Sequence, residues 1–186
     1  MKTIILSIAA MLLLFPSCMN SQTKETNSKT LIVYYSRTGN TEAMAKHIQD
    51  LTGADLFQVE TVKAYPESYH ETTEVAKDEK NNNTRPEIKE KVGNIDQYDT
   101  IFIGFPIWWG TYPMAMATFL ESYNLDGKTI VPFCTHGGGG VDQGFKDVQK
   151  LAPKANHKDG LSLSGGRASS ARTDIENWLK KIEVIK

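Results

Sequence analysis

The run Ser36-Arg37-Thr38-Gly39-Asn40-Thr41 gathers hydroxyls, an amide and a guanidinium around a single glycine, a set of short donors suited to an anion. Before it, Thr30-Leu31-Ile32-Val33-Tyr34-Tyr35 is a β-branched and aromatic run with the character of a buried strand. After it, Ala43, Met44, His47, Ile48 and Leu51 recur at helical spacing, and Gly53 is placed to stop the helix. A helix N-terminus reached through a small-residue turn presents free backbone N–H groups and roughly half an elementary positive charge to one spot. Asn40 is the expected N-cap. The expected guest is a phosphate, although the same residues also suit an ordinary strand-to-helix turn rich in capping side chains. Two better-known phosphate motifs are excluded, because no Gly-Lys-Ser/Thr triplet follows Gly39 and the three spaced glycines of the dinucleotide fingerprint are missing.

A second apolar run, Asp99 to Phe105, leads into Pro106-Ile107-Trp108-Trp109-Gly110-Thr111-Tyr112-Pro113. Adjacent tryptophans cannot both face one interior, so one is expected to pack inward and the other to lie at a loop surface. A rigidly held indole at a surface is a platform for a flat heterocycle; the alternative is that both rings wedge the loop against the next helix. Trp109 is the favoured platform, since Gly110 beside it leaves room for a planar ring. A third run, Thr129 to Cys134, opens into Thr135-His136-Gly137-Gly138-Gly139-Gly140. Consecutive glycines expose backbone amides and let a ligand approach the chain closely. A mobile linker is the alternative, but a strand precedes them and Val141, Phe145, Val148 and Leu151 form a helical stripe after them. In an open parallel sheet all such loops gather at the carboxyl ends of the strands, where ligands bind.

With these motifs the chain resembles the flavodoxin family, and in particular a subgroup with a Ser-Arg-Thr-Gly-Asn-Thr loop, a Pro-Ile-Trp-Trp-Gly loop and a Gly-rich loop after Cys-Thr, over residues 29 to 185. The resemblance implies an α/β fold, a flavodoxin-like three-layer sandwich with a five-stranded parallel sheet in the order 2-1-3-4-5, and FMN as cofactor. It would place the FMN phosphate on Ser36, Arg37, Thr38, Gly39, Asn40 and Thr41. It would place the isoalloxazine against Trp108 or Trp109 beside Pro106, with ring edges met by Gly110, Thr135, His136, Gly137 and Gly138. It also implies that the Gly110 carbonyl can turn toward the flavin N5–H. A protonated His136 near the ring would favour negative charge there, whereas an aromatic platform with little positive charge nearby would disfavour it.

The remaining segments fit that architecture. Ala54 to Glu60 alternates apolar and polar residues, as expected of a strand near a sheet edge. Residues 61 to 96 are polar and charged, with a helix expected from Tyr69 to Lys80 and an extended connection covering one face of the sheet. Further amphipathic helices are expected over Tyr112 to Tyr123 and Thr173 to Ile182; Ile175, Trp178, Leu179 and Ile182 make a stripe that belongs in the core. The last strand is expected from Gly160 to Leu163. Among 186 residues there are 21 Lys and Arg against 22 Asp and Glu, a net charge of −1. Near-neutrality without a basic stripe argues against nucleic acid, and departs from the strongly acidic surface typical of flavodoxins. Cys134, at the end of an apolar strand, is expected to be a small core residue. No Cys or His pair has metal-ligand spacing, and no metal is expected.

The first residues point outside the cytoplasm. Lys2, the apolar Ile4 to Phe15 region and Pro16-Ser17-Cys18 are arranged like a secretory signal, too short to span a bilayer well. A small residue directly before Cys18 resembles a bacterial lipobox, although Phe15 and Pro16 depart from its commonest residues. The expected organisation is therefore a signal peptide over residues 1–18 with Cys18 lipidated, a polar tether over 19–29 and a flavodoxin-like domain over 30–186. The expected location is a membrane-anchored lipoprotein on the periplasmic side of a bacterial envelope; simple secretion is the alternative. The leader has no twin arginines, so export as an unfolded chain, with FMN acquired afterwards, is expected.

No catalytic acid, base or nucleophile stands out. The leading functional expectation is an electron carrier serving a redox partner protein or small electron acceptor. An FMN-dependent quinone or nitro-compound reductase is the second, and a flavodoxin-like binding module without flavin is the third.

Overall fold

In the computed structural model, residues 29–141 and 143–186 are described. The leader, the tether and Cys18 lie outside the described residues, apart from Lys29. Strands β1 (Lys29–Tyr34), β2 (Asp55–Gln58), β3 (Tyr98–Pro106), β4 (Thr129–His136), β5 (Asn156–His157) and β6 (Leu161–Ser164) alternate with helices α1 (Asn40–Thr52), α2 (Tyr69–Asn81), α3 (Met114–Glu121), α4 (Gly144–Leu151) and α5 (Arg172–Lys181). All strand pairs are parallel, in the order β2-β1-β3-β4-β5, with β6 also paired to β4. This is the flavodoxin-like α/β fold.

Alternation along the strands builds a core on each face. Leu31 and Val33 of β1, with Ile101, Ile103 and Phe105 of β3, pack under α3 and α4. Ile32, Tyr34, Phe102, Val131 and Phe133 pack under α1 and α5, meeting Met44, Ile48, Ile175 and Leu179. Trp178 belongs to this second core, edge-on to Phe102 at 5.9 Å, with its indole N–H donating to the Asp159 carbonyl at 2.9 Å. Cys134 is fully buried and donates to Ser162 Oγ at 3.3 Å; burial pushes its thiol up to about 11, which keeps it protonated and unreactive.

The fifth position of the sheet differs from the expected single strand at 160 to 163. It is split into β5 and β6, paired successively along β4. Between the pairs Ile130↔His157 and Phe133↔Leu161, that strand carries one residue more than β4 does. The break lies opposite Pro132, which has no N–H to donate along the edge where the Ile130 carbonyl accepts from Lys158. Gly160 occupies the break because a Cβ there would stand 2.7 Å from the Pro132 carbonyl oxygen and 2.4 Å from Phe145.

The connection over residues 61 to 96 does cover one face. Thr61 bridges Ile88 antiparallel, and α2 packs toward α3. Arg85 fastens the second half of this connection through two hydrogen bonds to the Glu121 carboxylate of α3, at 2.5 and 2.6 Å. That bond raises the guanidinium's pKa and lowers the carboxyl's.

Candidate functional site

The β1–α1 turn supplies the anion-binding end. Gly39 adopts φ 82°, a left-handed conformation, and is itself the N-cap of α1, so no side chain caps the helix. This corrects the expected role of Asn40, which is the first helical residue; its amide donates to Thr38 Oγ1 at 3.3 Å. The uncapped first-turn N–H groups of α1 therefore remain available to a ligand. The Ser36 hydroxyl is buried and has no hydrogen-bond partner. Thr41 is 1% exposed, and its hydroxyl lies 2.9 Å from that of Thr135 at the end of β4. Arg37 reaches from this turn to the carbonyls of Pro66 and Glu67, at 3.2 and 2.5 Å, and so ties the turn to the entry of α2.

The tryptophan loop is a two-residue hairpin. Trp108 and Thr111 exchange backbone hydrogen bonds of 2.8 and 3.1 Å, while Trp109 at φ 51° and Gly110 at φ 83° form the turn. Positive φ at both central positions is the signature of a type I′ turn, which explains Gly110 on backbone grounds. The turn also separates the two indoles. Trp108 packs edge-on against Tyr35 at 5.4 Å and Tyr65 at 5.0 Å, whereas Trp109 is 46% exposed. The Gly110 carbonyl accepts the Gln143 N–H at 3.0 Å, and Gly110 does not line the cavity described below. In this conformation the carbonyl joins the hairpin to the start of α4, and a turn toward the flavin N5–H would break that bond.

At the glycine loop, Gly138 adopts φ 129° and donates its N–H to His136 Nδ1 at 3.0 Å. With Nδ1 accepting, His136 holds the loop. A Cβ at Gly137 or Gly138 would meet nothing within 4 Å, so open space adjoins these amides.

These three loops converge on one cavity of about 730 Å³. Ser36, Arg37, Thr38, Asn40, Thr41, Pro106, Trp108, Trp109, Thr135, His136, Gly137 and Gly138 all line it. Of the residues expected at the site, Gly39 and Gly110 do not, because both act through the backbone turns that present their neighbours. Two walls escaped the sequence reading. One is the face of α2 carrying Tyr69, Thr72, Thr73, Glu74 and Ala76. The other is Ser164-Gly165-Gly166 after β6, where a Cβ on Gly165 would stand 2.7 Å from the Asn40 amide nitrogen. A small-residue turn following an apolar strand could have revealed the second; nothing in the mixed polar sequence of α2 pointed inward.

Behind Trp108 lie the buried Tyr35 and the half-buried Tyr65. Burial raises Tyr35 and Tyr65 well above the usual tyrosine range, and Tyr65 donates to Glu79 Oε2 at 2.6 Å. Burial also raises Glu79, the hydrogen bond from Tyr65 acting the other way. Both phenols are therefore neutral and back Trp108.

The flavodoxin family model matches residues 29–182, nearly the whole described chain. This chain belongs to the flavodoxin family. Two crystal structures described as flavoproteins, from Bacteroides eggerthii and Bacteroides uniformis, are each 34% identical to it. The first covers 86% of this chain and 100% of its own at a TM-score of 0.75; the second covers 82% and 98% at 0.74. A Lactobacillus acidophilus flavoprotein crystallised in complex with FMN is 25% identical, with a TM-score of 0.63 over 81% of this chain and 98% of its own. No curated protein matches the sequence. Within the flavodoxin fold, the cavity described here stands at the carboxyl ends of β1, β3, β4 and β6, where an open parallel sheet receives its ligand.

Proposed function

We propose that this flavodoxin-family chain is an FMN-binding electron carrier. FMN is its cofactor, and bound there it supplies the capacity to take up and release one or two electrons. The observation that carries the reading is the buried, partnerless Ser36 hydroxyl beside the uncapped start of α1, since a buried donor without a partner is costly unless a ligand completes it. Ser36, Thr38, Asn40 and Thr41, with the first N–H groups of α1, would hold the phosphate. Trp109 would stack on the ring, and the amide of Gly137 would meet its polar edge, the Gly138 N–H being engaged by His136. Buried Tyr35 and half-buried Tyr65 pack against Trp108 on the inner side of the cavity.

Among the described residues the cavity lining offers no paired nucleophile and base, and we read the site as that of a carrier, with an FMN-dependent reductase as the alternative. The purified protein titrated with FMN, followed by stepwise reduction, tests this. The expected result is stoichiometric flavin uptake, electron exchange with a protein partner and slow turnover with quinones or nitro compounds. Rapid turnover with such small acceptors would establish the reductase instead, and failure to take up flavin would leave a binding module.

We further propose that the chain is exported and lipid-anchored through Cys18, a reading supported by the apolar leader and the small residue before that cysteine. Full-length protein expressed in a bacterial host is expected in the membrane fraction with an acylated N-terminus. Cys18→Ala is expected to abolish acylation. An unmodified Cys18 in the wild type would sink the anchor.

A further inference from the structure

Trp109 is held by α2, the helix that also walls the cavity. Its indole N–H donates to the Thr73 carbonyl at 2.8 Å, and the Lys80 ammonium donates to its own carbonyl. The Lys77 ammonium stands 5.4 Å from the centroid of the indole ring. Trp109 lines the cavity, whereas the exposed Lys77 and Lys80 do not, so the charge over the indole comes from outside the cavity lining. Among the described residues, neither ammonium is within ion-pair distance of a carboxylate. Trp108 cannot play the same part, because its ring is engaged edge-on by Tyr35 and Tyr65.

We propose that Lys77 and Lys80 form a cationic backing behind Trp109 that makes a flavin ring stacked on its inner face easier to reduce. This rests on the FMN reading above and names residues that set its redox balance. A cation over an indole is attracted by the negative π face and polarises it. Anything stacked on the opposite face of that indole then lies across the ring from a positive charge 5.4 Å from its centroid, an exposed charge whose effect salt screens. Negative charge gained on reduction is stabilised accordingly. Glu74 lines the cavity from the same helix and acts in the opposite sense, whereas Arg37, at the phosphate end, adds positive charge from β1–α1. The expectation of little positive charge near the platform is thus revised: the charge comes from α2, which the three motifs do not include. Lys77 acts through Trp109 and is a positioning residue.

The test is Lys77→Met, which keeps the aliphatic stem and removes the charge. In the FMN-loaded protein its midpoint potential is expected to shift to more negative values, more at low than at high ionic strength. Lys77→Arg is expected to restore the wild-type value, and Glu74→Gln to shift it in the positive direction. In a Trp109→Phe background the effect of Lys77→Met is expected to shrink, which a merely structural lysine would not produce. In the flavin-free protein, Lys77→Met is expected to change the near-ultraviolet circular dichroism assigned to Trp109. A wild-type potential in flavin-loaded Lys77→Met, with FMN affinity unaltered, overturns the backing while leaving the cofactor reading intact. A wild-type protein that takes up no FMN overturns both.

Discussion

Ser36→Ala is expected to weaken ligand binding without destabilising the apoprotein. In the apoprotein the hydroxyl is buried without a partner, a condition that costs about 1–3 kcal/mol. Removing it is therefore expected to leave the melting temperature of the apoprotein unchanged or higher. With FMN present, the same hydroxyl would donate to a charged phosphate oxygen, a bond of about 1.5–3 kcal/mol. Its loss is expected to weaken FMN binding by roughly ten- to a hundredfold. Riboflavin, which has the ring and no phosphate, is expected to bind wild type and variant alike. Parallel titrations of both ligands, with thermal melts of the apoprotein, check all three outcomes. Equal losses for FMN and riboflavin would move Ser36 away from the phosphate, and a destabilised apoprotein would show that the hydroxyl has a structural partner.

Gly104→Ala is expected to give the largest loss of stability. Gly104 lies in the middle of the sheet, in register with Phe133 of the neighbouring strand. A Cβ there would stand 2.1 Å from Phe133 Cζ and within 2.7 Å of two further ring atoms, so the ring already occupies the space a side chain would need. Phe133 is fully buried and has nowhere to move without opening the α1–α5 core. Overpacking of this kind costs about 1–3 kcal/mol, a fall of several degrees in Tm for a domain of this size. Phe133→Leu introduced with Gly104→Ala is expected to recover part of the loss, because the two positions contend for one volume and their effects cannot be additive. Additive losses in the double variant would mean that the alanine strains the backbone rather than the ring.

The Gly104–Phe133 pair also marks where legibility in the sequence stops. Gly104 is an unremarked residue in an apolar run, and its need to be glycine comes from a residue 29 positions away that only strand pairing brings beside it. Gly110 is a similar case. Its expected part is to leave room beside Trp109, but the structure gives it the type I′ turn, and its carbonyl accepts from Gln143. Asn40 has a cap-former's chemistry, yet the left-handed Gly39 takes the position because a preceding glycine can make the turn without steric cost.

What the residues determined unaided was local: apolar strand runs, the glycine stops, the helical stripe of Ile175, Trp178 and Leu179, and the small donors after each strand. Those signals are short-range, set by periodicity and by backbone preference, and an open parallel sheet then obliges the strand-end loops to meet. Tertiary structure alone decided which indole faces outward, that the fifth strand breaks opposite Pro132, and that α2 walls the cavity with Lys77 and Lys80 behind Trp109. Each of these depends on the packing of residues distant in sequence, and α2 in particular is polar enough that its inward face is defined by what it covers rather than by its own composition.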